Sequence, residues 1–165
     1  MSWFVISKYN NNWLERKKAI NLLAKKHDNK EKILALIPDM IATLENDENA
    51  RVRAEIAQTL SKFREFAEEA VPALIYSMIN DESKDVRQWS IIALGEIGAK
   101  AESATCALVE IMNESDSPVI RKNAILALGK MGNKKILPAL RKFKEINLDW
   151  WVNPMIDKII LDISS

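Results

Sequence analysis

Residues 81–98 read DESKDVRQWSIIALGEIG, and residues 115–132 read SDSPVIRKNAILALGKMG. The second stretch repeats the first after thirty-four residues, with an aliphatic-Arg pair and an Ala-Leu-Gly tripeptide in the same places. One period earlier, residues 52–63 carry the same Val-Arg pair and a weaker copy of the residues after it. Such a period indicates a repeat architecture, which has to be recognised before any fold is assigned.

A second marker has the same spacing. Pro38, Pro72 and Cys106 also lie thirty-four residues apart, and Pro138 comes after a slightly shorter interval. Two independent markers with one period make a chance match improbable, so we expect stacked copies of a single structural unit.

Each period contains two amphipathic helical patterns. In the second pattern of one unit, Val52, Ile56, Leu60 and Phe63 follow the spacing of a single helix face. The chain has only four Gly and five Pro, which disfavours a turn-rich all-β fold. Gly95 interrupts a helical pattern at a cost, and we expect it to permit close approach between stacked helices. The sequence therefore predicts an all-α fold.

The unit has a Pro in its first helix, an Asp at the turn, then Val-Arg, Ala-Leu and a closing Gly. In these features it resembles HEAT repeats, of the short kind also seen in phycobilin-lyase-like arrays, over roughly residues 28–163. The resemblance implies a right-handed α-solenoid of about nine helices. We expect one domain, residues 1–165, with a cap helix in 1–27 and repeats at 28–66, 67–100, 101–132 and 133–163.

The resemblance also implies a structural ladder of Asp and Arg residues six apart in each unit. Asp47 with Arg53 and Asp81 with Arg87 fit this pattern. The third unit departs from it, because Ser115 stands six residues before Arg121. We therefore expect the ladder to fade toward the carboxyl end.

The chain offers few of the groups that catalysis and metal binding use. It has one His, His27, and one Cys, Cys106, and it has no glycine-rich phosphate loop. Cys106 takes the place of the repeated Pro on an apolar helix, which predicts a small buried hydrophobic residue. From these features we expect no enzyme activity, no cofactor and no metal.

Residues 1–10 contain no apolar run long enough for a signal peptide, and no stretch of the chain is apolar enough to span a membrane. A single cysteine fits a reducing compartment. We expect a cytoplasmic protein that does not contact membranes. The last helix carries apolar residues on one side and charged residues on the other, as a capping repeat does, so we also expect a monomer.

The second helices of HEAT repeats line a concave surface, and on a helical wheel three large apolar residues point away from the core. These are Trp89, Ile92 and Leu126. An exposed apolar patch of this kind is typical of a contact site, and Trp is a favoured anchor. The alternative is that the neighbouring unit encloses these side chains.

Charge is sorted between the two kinds of helix although the whole chain is nearly neutral, with a net charge of +1. The second helices are basic and the first helices are acidic. The basic residues that we expect to border the concave groove are Lys17, Lys18, Lys25, Arg51, Lys62, Lys122 and Lys130.

These features favour a scaffold that binds an acidic or amphipathic segment of a protein partner in the groove, where basic charges speed encounter. A nucleic-acid-binding protein that uses the same basic stripe on phosphates is the alternative. A subunit similar to a bilin lyase is a weaker alternative that rests on the repeat type alone.

Overall fold

The computed structural model describes residues 12–26, 30–146 and 150–165. In these ranges it contains α-helices and short 3-10 segments. The α-helices are α1 (Trp13–Lys26), α2 (Lys30–Asn46), α3 (Ala50–Phe63), α4 (Val71–Asn80), α5 (Lys84–Ile97), α6 (Thr105–Glu114), α7 (Pro118–Met131), α8 (Leu137–Ile146) and α9 (Asn153–Ser164). The 3-10 segments are Arg64–Ala70, Gly98–Ala104, Lys134–Ile136 and Trp150–Val152.

The odd-numbered helices form a row, which we call the B layer, in which each helix packs against the next. The even-numbered helices, the A layer, cover one side of that row. A continuous core of aliphatic side chains runs between the layers, and it includes Ile37, Leu60, Leu94 and Leu128, none of which is exposed. The all-helical solenoid that the repeat predicts is confirmed.

Glycine permits the closest contact between two B helices. An added Cβ atom at Gly95 in α5 would lie 2.7 Å from the Cα atom of Ala127 in α7. Real Cβ atoms do not approach a backbone atom so closely, so only glycine fits at this position without moving a helix. The expected close approach of stacked helices is confirmed here.

The turns after α3, α5 and α7 use a backbone conformation that favours glycine. Gly98 and Gly132 end α5 and α7 with φ values of 73° and 67°. The equivalent residue after α3 is Arg64, with φ 51°. A residue with a side chain rarely adopts such a conformation, so this turn holds Arg64 in a strained backbone geometry.

The prediction that Cys106 is buried is wrong, because its side chain is exposed. Pro38, Pro72 and Pro138, which take the same place in other units, are exposed as well. The shared position faces solvent, and the apolar pattern of the helix does not extend to it.

Candidate functional site

A ladder of arginine and aspartate side chains joins successive turns along one edge of the array. Nε and Nη2 of Arg53 donate to the two carboxylate oxygens of Asp81 at 2.8 and 2.9 Å. Its Nη1 donates to the main-chain oxygen of Asp47 at 2.8 Å. Arg53 therefore binds the backbone of its own turn and the carboxylate of the next turn, and this contact fastens neighbouring repeats together.

The ladder begins one repeat earlier than the sequence indicates. Arg16 in α1 makes the same two-pronged contact with Asp47, at 2.9 Å for both bonds, and only 6% of Arg16 is exposed. Aligning the helical patterns of the B layer places Lys18 opposite Trp89, and it therefore also places Arg16 opposite Arg87. That alignment could have identified Arg16 from the sequence.

The contact shifts the pKa of both Arg53 and Asp81. Burial opposes the charge on Asp81, but hydrogen bonds from Arg53 and the Ser83 N–H, with the charges of Arg53 and Arg87, outweigh burial and lower the pKa of Asp81. The Asp81 hydrogen bond outweighs the opposing effect of burial and raises the pKa of Arg53. The pair therefore stays ionised at neutral pH.

This lowered pKa predicts an acid-dependent loss of stability. Because the carboxyl of Asp81 binds its proton more weakly in the folded than in the unfolded state, it stabilises the fold fully above its unfolded pKa of about 3.9. That contribution is lost as the pH falls through the lower pKa of the folded state. Below about pH 4 we expect the urea concentration at the unfolding midpoint to fall. The fall should be smaller in Asp81→Asn, because its amide carries no charge that acid could remove.

Among the described residues, the third arginine of the ladder, Arg87, binds only main-chain oxygens. Nη1 of Arg87 donates to the main-chain oxygens of Asp81 at 2.6 Å and Glu82 at 3.1 Å. At the position of the next aspartate the chain has Ser115. In the part of the chain that the structure describes, no carboxylate lies within salt-bridge distance of Arg87.

We expect Ser115→Asp to stabilise the protein by about 1 kcal/mol, because it supplies the missing carboxylate. The turn accepts the change, since Oγ of Ser115 already receives the Ser117 N–H at 3.3 Å, as Oδ1 of Asp81 receives the Ser83 N–H at 2.9 Å. Urea unfolding measures the gain. Ser115→Asn is the matched control without the charge, and an equal gain in both variants would contradict the explanation.

The three predicted anchors do not share one environment. Leu126 in α7 is 36% exposed, whereas Trp89 and Ile92 in α5 are partly buried, and Trp89 packs against the core. The B-layer face therefore has an accessible apolar residue at α7, while the neighbouring unit partly encloses the side chains of α5.

Carboxylates of the B layer itself neutralise part of the predicted basic rim. Lys17 lies 3.1 Å from Oε2 of Glu55, and Lys130 pairs with Glu96. Each pair joins neighbouring B helices. The predicted rim is thus less basic than its lysines and arginine alone indicate, because Glu55 and Glu96 of the same layer face two of the lysines.

The remaining basic residues differ in their contacts. Lys18 pairs with Glu15 on its own helix at 2.8 Å, and the guanidinium of Arg51 lies 4.9 Å from the ring centre of Trp13. Lys62 and Lys122 are exposed. The side chain of Lys25 and all of His27 fall outside the described residues, so their predicted positions stay predictions.

A groove lies between α7 and α9 on the B-layer face. It has a volume of about 350 Å³. Leu126, Met155 and Ile159 supply its apolar surface, and Lys130, Lys158 and Asp162 border it. We call this the B groove. On a helical wheel Met155 takes the position that Trp89 takes in its own helix. The sequence nevertheless did not lead us to predict Met155 or Lys158 as partner-binding residues.

Two further features are missing from the described residues, namely a metal-binding cluster and a membrane-spanning helix. They contain no group of three His, Cys, Asp or Glu side chains that could hold a metal ion. None of their helices combines the length and the apolar character that a bilayer crossing requires.

Comparison with known proteins agrees with this geometry. The family model described as HEAT repeats matches residues 5–95 and 71–152. A solved structure, the complex of CpcE and CpcF of phycocyanin lyase from Nostoc sp. PCC7120, matches with a TM-score of 0.69. The match covers 99% of this chain and 96% of that chain at 18% sequence identity, which shows a shared fold. No curated protein matches.

This likeness corrects the prediction that the chain is not an enzyme. The same fold, over almost the full length of both chains, occurs in the structure of a lyase complex. The scarcity of His, Cys and glycine-rich loops was the ground for that prediction. That scarcity does not exclude a part in an enzyme, because chains of this fold occur in the phycocyanin lyase complex.

Proposed function

Because the chain belongs to the HEAT-repeat family, we propose that it binds a protein partner along the exposed face of its B layer. Repeat arrays bury a core between neighbouring units and leave one long surface for contacts. The observation that carries the proposal is the B groove, where Leu126, Met155 and Ile159 form an apolar depression.

The lining of the B groove favours an amphipathic segment with acidic residues. Leu126 and Met155 offer contact area for an aliphatic or aromatic side chain. Lys158 and Lys122 are exposed on the same layer, and they would attract carboxylates without a large desolvation cost. Asp162 lies one turn along α9 from Lys158, and this pair of opposite charges would set the orientation of such a segment.

Leu126→Asp is expected to weaken partner binding at least about tenfold, since it places a charge in the apolar depression. The fold should persist because Leu126 is 36% exposed. The matched control is Leu34→Asp, because Leu34 is 38% exposed but lies on the A-layer helix α2. The partner is first identified by photo-crosslinking from position 126, and its affinity for each variant is then measured by calorimetry.

Equal affinity of the two variants would refute the proposed surface. The nucleic-acid alternative predicts a different result, namely binding of short duplex DNA that weakens steeply with salt. Crosslinks from position 126 to nucleic acid, and none to protein, would favour that alternative. Trp89→Ala is a poor probe here, because Trp89 packs against the core and its loss would alter stability as well.

A second candidate function rests on the shared fold with the phycocyanin lyase structure. We propose, as the alternative, that the chain is a subunit of a lyase complex that handles a bilin. The test is a titration of phycocyanobilin with the protein, monitored by visible absorption. A saturable spectral change would support this role, and an unchanged spectrum together with tight binding of an identified protein would remove it.

A further inference from the structure

We propose a second binding site, at the ladder edge between the A-layer helices α4 and α6, where Arg87 takes an acidic side chain of a protein segment. The site lies apart from the B groove, and it does not depend on the function proposed for that face. Its ligand chemistry is inferred from the two complete contacts of the same ladder.

In those two contacts the arginine and its ligand have one geometry. Arg16 holds Asp47, and Arg53 holds Asp81, each through Nε and Nη2 at 2.8–2.9 Å. Arg87 keeps the remaining part of the arrangement, because its Nη1 binds the carbonyls of its own turn. The guanidinium is therefore held in place while its carboxylate-binding side has no described carboxylate partner.

The space beside this guanidinium is open. Arg87 and Ser115 both line a cavity of about 320 Å³. This cavity is larger than the aspartate carboxylate that takes the equivalent place beside Arg16 and Arg53. Apolar side chains of Met78, Ile79 and Ile111 form part of its wall. Ile79 is 53% exposed, although its helix pattern predicts burial. The cavity can therefore take an aliphatic side chain next to the carboxylate.

The carboxylates of Glu110 and Glu114 determine which second charge the ligand needs. Glu110 and Glu114 line the same cavity, so its charged groups sum to a net negative charge. A purely acidic ligand would be repelled by these glutamates. We infer that the ligand is a short segment with an Asp, a neighbouring aliphatic residue and a basic residue that faces Glu110 and Glu114.

The test uses a blocked peptide, acetyl-Leu-Asp-Leu-Lys-amide, which has no terminal carboxylate. Its binding is monitored by NMR at the arginine Nε–H signals, and the signal that disappears in Arg87→Lys is assigned to Arg87. We expect a saturable shift of that signal. The peptide with Asn for Asp should bind at least about tenfold more weakly, and so should a peptide with Gln for Lys.

Ser115→Asp provides the decisive variant, because the new carboxylate occupies Arg87 at a high effective concentration. We expect it to weaken peptide binding at least about tenfold, whereas Ser115→Asn binds as the wild type does. No shift in the wild type up to about 10 mM peptide, or equal binding by Ser115→Asp, would overturn the site. Leu126→Asp should leave this binding unchanged, which separates the outcome from that of the B groove.

Discussion

Replacing Arg53 by alanine should destabilise the protein by about 3–5 kcal/mol. The change breaks a two-pronged ion pair and leaves the Asp81 carboxylate, whose side chain is only 8% exposed, without its main partner. Removing one member of a buried pair costs more than the pair contributes, because the remaining charge stays buried. Urea unfolding at neutral pH, with the midpoint and slope compared, measures the loss.

The chain offers its own control for this experiment. Arg87 makes the same two bonds to main-chain oxygens but has no described carboxylate partner. Arg87→Ala should therefore cost only about 1–2 kcal/mol, from the carbonyl bonds alone. If both variants lost the same stability, the carboxylate contact would contribute nothing, and the ladder would be held by its carbonyl bonds.

Gly95→Ala should destabilise the protein by about 2–3 kcal/mol, although alanine is the better helix former. Propensity alone would favour the change by about 1 kcal/mol. The added methyl, however, would lie 2.7 Å from the Cα and 2.9 Å from the Cβ of Ala127. A backbone atom cannot rotate away, so α5 and α7 must separate along part of their contact. Thermal and urea unfolding both report the change.

Gly129→Ala is the matched control, because it makes the same substitution at the equivalent position of the next unit. There the added methyl meets Cγ1 and Cδ1 of Ile159, at 2.8 and 2.9 Å. Side-chain atoms shift more easily than a backbone, but Ile159 is buried and β-branched, so we expect a loss that is measurable and smaller than that of Gly95→Ala. Similar losses at both glycines would show that the backbone contact is not what makes Gly95 special.

The repeat, its helices and its glycine positions could be predicted from the sequence, because each depends on the spacing of residues that are close together in the chain. The apolar periodicity fixes the helices, and Gly95 and Gly98 mark the close contact and the turn. The ladder was readable only in part. The aspartate six residues before Arg53 offers its backbone, and the carboxylate that Arg53 binds belongs to the next unit, at Asp81.

The surface was harder to predict because exposure depends on neighbouring units. A helical wheel places Trp89 and Leu126 on one face, but the packing of adjacent helices partly buries the first and leaves the second open. The predicted basic rim was incomplete for the same reason, since it left out Glu55 and Glu96, which pair with lysines on neighbouring helices. No property of a single helix contains this information.

The joint between α5 and α7 is tight at one end and loose at the other. Near the helix ends, Gly95 and Ala127 touch through their backbones, whereas near the helix starts Arg87 and Ser115 leave the ladder incomplete. The two units are therefore held by backbone contact at one end of the joint and lack the carboxylate bridge at the other. A molecule that binds at the open edge would join the two units on the side where the ladder does not.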